Sequence, residues 1–315
     1  MNIIPLHWLK TFASGWQDYE DHGRIPHAVL LTGPAGVGKR AAARWIAARR
    51  LGIDVESALP VYPVEPFEHA DLHWVAPLED KETIGIEQIR GLINEFSLTS
   101  YEGVGKVAII EPANAMTHNA ANSLLKTLEE PSGTALLILI ADRAGRLPAT
   151  IFSRCQRLDI ALPGETEGLE WLDQLQPGTS WREALRLAGN APLAAIAAIE
   201  QLDTHASMRR DFAGVADGSI SPLEVAARWT KLEAPFVLDW LARQVQHAIL
   251  IVAGGAQSSP GGVIDESVLR HVDRRNLFCY LDIINRLRGQ PKGSYNVQLT
   301  LESLLIDWAE GLAQR

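Results

Sequence analysis

The sequence predicts an α/β core, a parallel sheet with helices on its faces, continued by a region that is helical only. Three observations carry this. Short apolar runs alternate with helical patterns through about residue 163, and such alternation is the signature of βαβ units. A glycine-rich loop, Gly33-Pro34-Ala35-Gly36-Val37-Gly38-Lys39, stands directly after the apolar run Ala28-Val29-Leu30-Leu31 and before a stretch, Arg40 to Arg50, free of Gly and Pro. A phosphate loop requires strand, loop and helix in that order. Past Pro163-Gly164 the pattern turns helical, and from about Ala206 strand-like runs disappear.

In chain order, strands are expected at Ala28–Leu31, Leu72–Val75, Val107–Ile110, Ala135–Ile140 and Leu158–Ile160. Helices are expected at Arg40–Arg50, at Gly85–Leu98, where Ile86, Ile89, Ile93 and Phe96 recur at helical spacing, and at His118–Glu129. The Pro-rich segment Gly52–Phe67 reads as a loop. Short helical patterns from Thr166 to Gln201, punctuated by Pro177-Gly178 and Gly189-Asn190-Ala191-Pro192, suit a small helical subdomain. Helices follow at Pro222–Lys231, Ala234–Val252, Glu266–Gly289 and Val297–Leu312, with a Gly- and Ser-rich loop at Ala253–Gly262. The domains are therefore expected at 1–163, 164–205 and 206–315. The last of these carries no visible chemistry, so packing and association are its expected roles.

The chain has 315 residues, 47% hydrophobic and 21% charged, the composition of a soluble globular protein of two or three domains. No apolar run approaches the length of a membrane span and no secretory signal is visible, so a cytoplasmic location and no membrane partner are expected. Cys155 and Cys279 are too few for a disulfide framework or a four-thiolate zinc site. His69 and His73 stand at i, i+4 spacing, but two imidazoles without thiolates or convergent acids do not make a zinc site, and no metal is expected. The net charge of −9 argues against strong binding of DNA through an overall positive field. Contact with DNA would be local, and Lys39, Arg40, Arg44, Arg49 and Arg50 form a candidate stripe. An ordinary solvated helix face explains the same residues.

The chemistry sits in the phosphate loop and in what has been lost around it. Its glycines let successive backbone N–H groups turn toward phosphate oxygens at a helix N-terminus, and Lys39 would reach the outer phosphates as a point charge. Gly33, Gly36, Gly38 and Lys39 are thus candidate nucleotide contacts. The next residue should bring a hydroxyl to Mg²⁺, and it is Arg40. A second strand should end in two acids, one for the metal shell and one to orient the attacking water. Here Lys106-Val107-Ala108-Ile109-Ile110 ends in Glu111-Pro112-Ala113-Asn114, and proline cannot polarise water. Losing both the hydroxyl and the water-orienting acid predicts that this chain does not hydrolyse nucleotide at its own loop.

At Gly23-Arg24-Ile25-Pro26-His27-Ala28, the phosphate loop, the run from Ala120 to Pro131 (Ala-Ala-Asn-Ser-Leu-Leu-Lys-Thr-Leu-Glu-Glu-Pro) and Ser153-Arg154-Cys155, the chain resembles the AAA+ clamp-loader subunits of bacterial DNA polymerase III. The resemblance spans roughly residues 1–200 and is weaker around Asn296–Trp308. The run from Ala120 and the Ser-Arg-Cys triplet are specific, whereas the phosphate loop is shared by many unrelated NTPases. Within that family, a defective loop beside an intact Ser-Arg-Cys looks like the delta-prime branch rather than the motor subunits.

The resemblance implies an AAA+ P-loop core, a small helical lid and an all-α collar. It makes Arg154 an arginine finger offered in trans to ATP held by a neighbouring subunit, with Ser153 and Cys155 of its motif, Cys155 as packing beneath it. Motor (gamma or tau) and delta subunits, the sliding clamp and primed DNA become the expected partners, with the chain a non-catalytic subunit of a DNA-directed DNA polymerase. Pro192 stands where motor subunits carry a nucleotide-sensing Arg. The stretch Leu51–Trp74, where many delta-prime relatives hold a four-cysteine zinc module, has no cysteine. His7, Trp8 and Trp16 are read as inter-subunit contacts or as the packed face of a first helix, and Leu299, Leu301, Leu304, Leu305 and Trp308 as core or collar interface. Three other readings stay open: a weakly active motor-type subunit that holds ATP, a purely structural scaffold with Arg154 idle, and a P-loop phosphotransferase acting on a small molecule.

Overall fold

The computed structural model describes residues 3–53, 57–97, 100–101, 103, 105–130, 133–142, 147–253, 274–290 and 294–310. The chain divides into two compact units, Met1–Ile199 and Glu200–Arg315.

The first unit is built on a five-stranded parallel sheet in the order β4-β5-β6-β2-β7. Its strands are β2 (Ala28–Thr32), β4 (Leu72–Val75), β5 (Val107–Ile110), β6 (Leu136–Ala141) and β7 (Gln156–Asp159). The central strands β2, β5 and β6 are buried at every residue, as expected where helices cover both faces of a parallel sheet and every side chain meets apolar neighbours. At the edges, β4 and β7 are mostly half-buried or exposed. The helices are α1 (Lys10–Asp21), α2 (Lys39–Arg50), α3 (Ile86–Ser97), α4 (His118–Glu129) and the one-turn α5 (Ala149–Phe152). The α4 helix starts where the Thr117 hydroxyl accepts from the Ala120 amide at 3.3 Å, an N-cap that satisfies an otherwise orphan donor. Ile84, Ile89, Phe96, Leu124, Leu128, Leu139 and Ile151 join the sheet in one core cluster. Then come α6 (Glu165–Leu175), α7 (Trp181–Leu187) and α8 (Pro192–Ile199), which belong to this first unit.

The Pro-rich segment expected to be a loop contains a two-residue strand, β3 (Val61–Tyr62), paired antiparallel with β1 (Ile4–Pro5). Such short ribbons have no periodicity to read. The last sheet strand begins at Gln156 rather than Leu158, because an edge strand half open to water carries Gln, Arg and Asp without penalty.

The second unit is helical throughout its described residues: α9 (Leu202–Ala216), α10 (Pro222–Trp229), α11 (Ala234–Val252), α12 (Arg274–Arg288) and α13 (Val297–Ala309). A boundary at 205/206 falls inside α9, and the compact units part at 199/200. The expected loop at 254–262 and the expected helical residues 266–273 and 311–312 lie outside the described residues. Asn296 caps α13 by accepting from the Leu299 amide at 3.1 Å. The core is a cluster of large aromatics: Phe212 stacks on Trp308 at 4.4 Å and on Trp229 at 6.5 Å, and meets Trp240 edge-on at 5.6 Å. Asp211 is buried among them and paired, accepting from Trp229 Nε1 at 3.0 Å and from Arg228 at 2.7 Å. Leu301, Leu304, Leu305 and Trp308 of α13 lie in this core, while Leu299 is exposed.

Candidate functional site

The phosphate loop leaves β2 and turns through three glycines with positive φ, Gly33 (145°), Gly36 (79°) and Gly38 (100°), the last opening α2. Two of them are also places of close approach. A Cβ on Gly33 would lie 2.3 Å from the Ile160 carbonyl oxygen, and one on Gly36 would lie 2.5 Å from the Ala194 amide nitrogen.

Lys39 is 5% exposed and its ammonium is fully engaged. It donates to the carbonyls of Gly33 at 2.7 Å and Pro34 at 2.6 Å, and pairs with Asp142, just beyond β6, at 2.6 Å. The lid reaches the same loop, with the Leu193 amide at the start of α8 donating to the Gly36 carbonyl at 3.1 Å. On its other side Trp8 Nε1 donates to the Val37 carbonyl at 2.9 Å, and the Trp8 ring lies edge-on to Trp171 at 5.4 Å. Trp8 and Trp16 therefore belong to the fold of the first unit, Trp16 being 1% exposed. Pro192 is the buried first residue of α8.

The two altered motif positions meet. Arg40 Nε donates to Glu111 Oε2 at 2.8 Å, so a guanidinium neutralises the one carboxylate left at the end of β5. The Arg40 guanidinium also lies 5.8 Å from the Trp74 ring centroid. The rest of the basic stripe is likewise occupied: Arg44 stands over Phe67 at 5.1 Å, Arg49 pairs with Glu20, and Arg50 donates to the Thr134 carbonyl at 2.8 Å. Of these charges, those of Lys39, Arg40 and Arg49 are paired with carboxylates, while Arg44 and Arg50 meet neutral groups.

Arg154 lies between α5 and β7. Its Nε donates to Glu129 Oε1 at 2.8 Å, and Nη2 reaches the same oxygen. Nη1 donates to the Thr150 carbonyl and to Ser153 Oγ, both at 3.0 Å. Cys155 packs against the core cluster under this turn, and burial pushes its thiol up to about 12. Its thiolate fraction near neutral pH is then about a thousandfold below that of an ordinary thiol, which makes it a packing group rather than a nucleophile. A thiol reagent at pH 8 is expected to modify exposed Cys279 within minutes and Cys155 only on unfolding. Two equally fast thiols in the native protein would contradict this placement.

Arg154 and the phosphate loop of the same chain stand at opposite ends of the sheet. In the parallel β2–β7 pair Val29 faces Gln156 and Thr32 faces Asp159. Gly33 follows the last of these pairs and Arg154 precedes the first, so about 13 Å of strand alone separates them at ~3.3 Å per residue. Arg154 cannot serve its own chain's loop.

His69 accepts the Asp71 amide at 3.0 Å and His73 lies edge-on to Phe96 at 6.3 Å. Burial is the largest influence on His73, with Lys106 next, and lowers its pKa. Among the described residues no group of three or more His, Cys, Asp or Glu is placed to hold a metal, and no helix is long and apolar enough to cross a membrane. Sequence reasoning missed Asp142, Glu129 and the Arg40–Glu111 pair, because each gains its meaning from a partner distant in the chain.

Residues 9–163 match the family described as DNA polymerase III, delta subunit. The chain is 31% identical to the DNA polymerase III subunit delta' of Pseudomonas aeruginosa, over 93% of this chain and 95% of that one. To the subunit delta' of Bacillus subtilis it is 42% identical over 43% of this chain and 42% of that one. Its fold is similar, at a TM-score of 0.53 and 19% identity over 98% of this chain and 99% of the other, to a DNA polymerase III gamma subunit-related protein of Thermotoga maritima. With the phosphate loop and Ser-Arg-Cys turn placed as above, this near full-length likeness shows that the chain belongs to the family of delta-prime clamp-loader subunits of DNA polymerase III.

Proposed function

We propose that the chain is the non-hydrolysing member of its clamp loader and supplies Arg154 in trans to ATP on a neighbouring motor subunit. Together with motor and delta subunits it would load the sliding clamp onto primed DNA. The observation that carries this reading is the separation of Arg154 from its own phosphate loop by the length of the β2–β7 pair. A finger on one end and a loop on the other suits a subunit that completes a neighbour's site and leaves its own unused. The silence of the loop is supported by its chemistry. Arg40 stands in place of the metal hydroxyl and ties up Glu111, Pro112 stands in place of the water-orienting acid, and Lys39 is paired with Asp142. Mg²⁺-assisted attack of water needs the metal shell and the base together. Neither zinc nor bound nucleotide is required in this reading.

The purified chain is expected to show no magnesium-dependent ATP turnover above a Lys39→Ala control, and to enter one complex of defined mass with the motor and delta subunits of its organism. Turnover that survives removal of contaminants and vanishes in Lys39→Ala would overturn the silent role. Failure to enter the complex would overturn the assembly.

A further inference from the structure

The run beginning at Ala120 is, with Ser153-Arg154-Cys155, the specific motif of the sequence, and its buried Ala120, Ala121, Leu124 and Leu128 pack the core while its polar end is left to account for. Its helix, α4, ends at Glu129, and the Glu129 carboxylate touches Arg154. One oxygen, Oε1, accepts from both Nε and Nη2, while Nη1 is held by the Thr150 carbonyl and Ser153 Oγ. A guanidinium has five N–H groups, so a single one, on Nη2, is left for another acceptor.

Stability does not account for this clasp. The two side chains are 32% and 51% exposed, and an ion pair in that setting adds little to the folded state because water screens it. Its effect is on freedom. Arg carries a long stem with many rotamers, and a finger that is still mobile loses that freedom when it meets a phosphate, which slows the step it is meant to assist. The geometry points to Glu129 as the positioning residue of Arg154, setting the guanidinium in one rotamer before the neighbouring subunit's phosphate arrives. The inference rests on the trans-finger reading. A carboxylate on the guanidinium also offsets part of its charge, so the benefit is one of geometry: an oxygen acceptor at the same place should suffice without the charge.

The test uses reconstituted complexes of motor, delta and this chain, with clamp and primed DNA at saturating ATP, and reads the loading rate together with complex mass and melting temperature. Glu129→Ala is expected to slow loading about tenfold. Glu129→Gln, which keeps an oxygen acceptor, should stay within about twofold of wild type. Arg154→Ala should slow loading further, and adding Glu129→Ala to it should change nothing, with assembly and melting unaltered throughout. Slow loading by Arg154→Ala beside wild-type loading by Glu129→Ala would overturn the positioning role and leave the finger standing. Two other results would also overturn that role: a rate above wild type for Glu129→Ala, which would make Glu129 a brake, or a further loss in the double variant. Wild-type loading by Arg154→Ala would overturn the finger and this inference with it.

Discussion

Arg154→Ala is expected to leave the chain folded and assembled while slowing ATP hydrolysis at one neighbouring site by about 10³–10⁵, the range a trans-acting guanidinium commands where charge grows on the transferred phosphoryl group. The fold should be indifferent, since an exposed pair such as Arg154–Glu129 adds about 0–1 kcal/mol. In the proposed assembly total hydrolysis by the loader would fall by only a fraction, because Arg154 would serve a single ATP site. The loading rate is therefore the better readout than bulk phosphate release. Arg154→Lys keeps the charge and loses the planar fork, so it should recover only part of the rate. Equal loading by complexes containing Arg, Lys or Ala at this position, with assembly verified by mass, would favour a structural scaffold over a trans-acting finger.

The largest expected effect on stability is in the second unit. Trp308 is 3% exposed and sandwiched near Phe212, at 4.4 Å and 17° between ring planes, and Tyr280, at 6.0 Å. Trp308→Ala would remove these contacts and leave a cavity that helices tied by other aromatics cannot close, at a cost of about 3–5 kcal/mol. Trp308→Phe should cost less than half of that. It keeps a ring for Phe212 to stack on and gives up no hydrogen bond, since the Trp308 indole nitrogen is buried without a partner. Equilibrium urea unfolding, with the two units allowed separate transitions, would measure both variants. A loss below about 1 kcal/mol in the alanine variant would mean the stacked aromatics do not hold this unit together.

Much of this molecule was legible from local pattern. The strands flanking the phosphate loop, α2, α4 and the last four helices of the second unit announce themselves by apolar runs, periodicity and Gly or Pro punctuation, and the Ser153-Arg154-Cys155 turn by its residues, whereas α9 (Leu202–Ala216) was not expected. What stayed hidden depends on pairs. Glu111 looks like a surviving metal ligand until Arg40, 71 positions away, is found against it. The cations of α2 read as one stripe in the sequence, and only the fold shows that Asp142, Glu111 and Glu20 pair with three of them. The β1–β3 ribbon is two residues on each side, too short for any period. Edge strand β7 shows mixed polarity because water solvates it.

The contacts of Asp142 and Leu193 with the phosphate loop bear on competition as well as on catalysis. A carboxylate delivered by the protein's own backbone is an intramolecular ligand, and tethered groups act at effective concentrations of about millimolar or more. To take Lys39, a dissolved nucleotide would have to displace Asp142 at that local concentration and part Leu193 from Gly36 as well. In the proposed silent role, Asp142 would act as the first unit's own competitor for Lys39. A loop held in this way from within would answer less to nucleotide than one whose lysine is free.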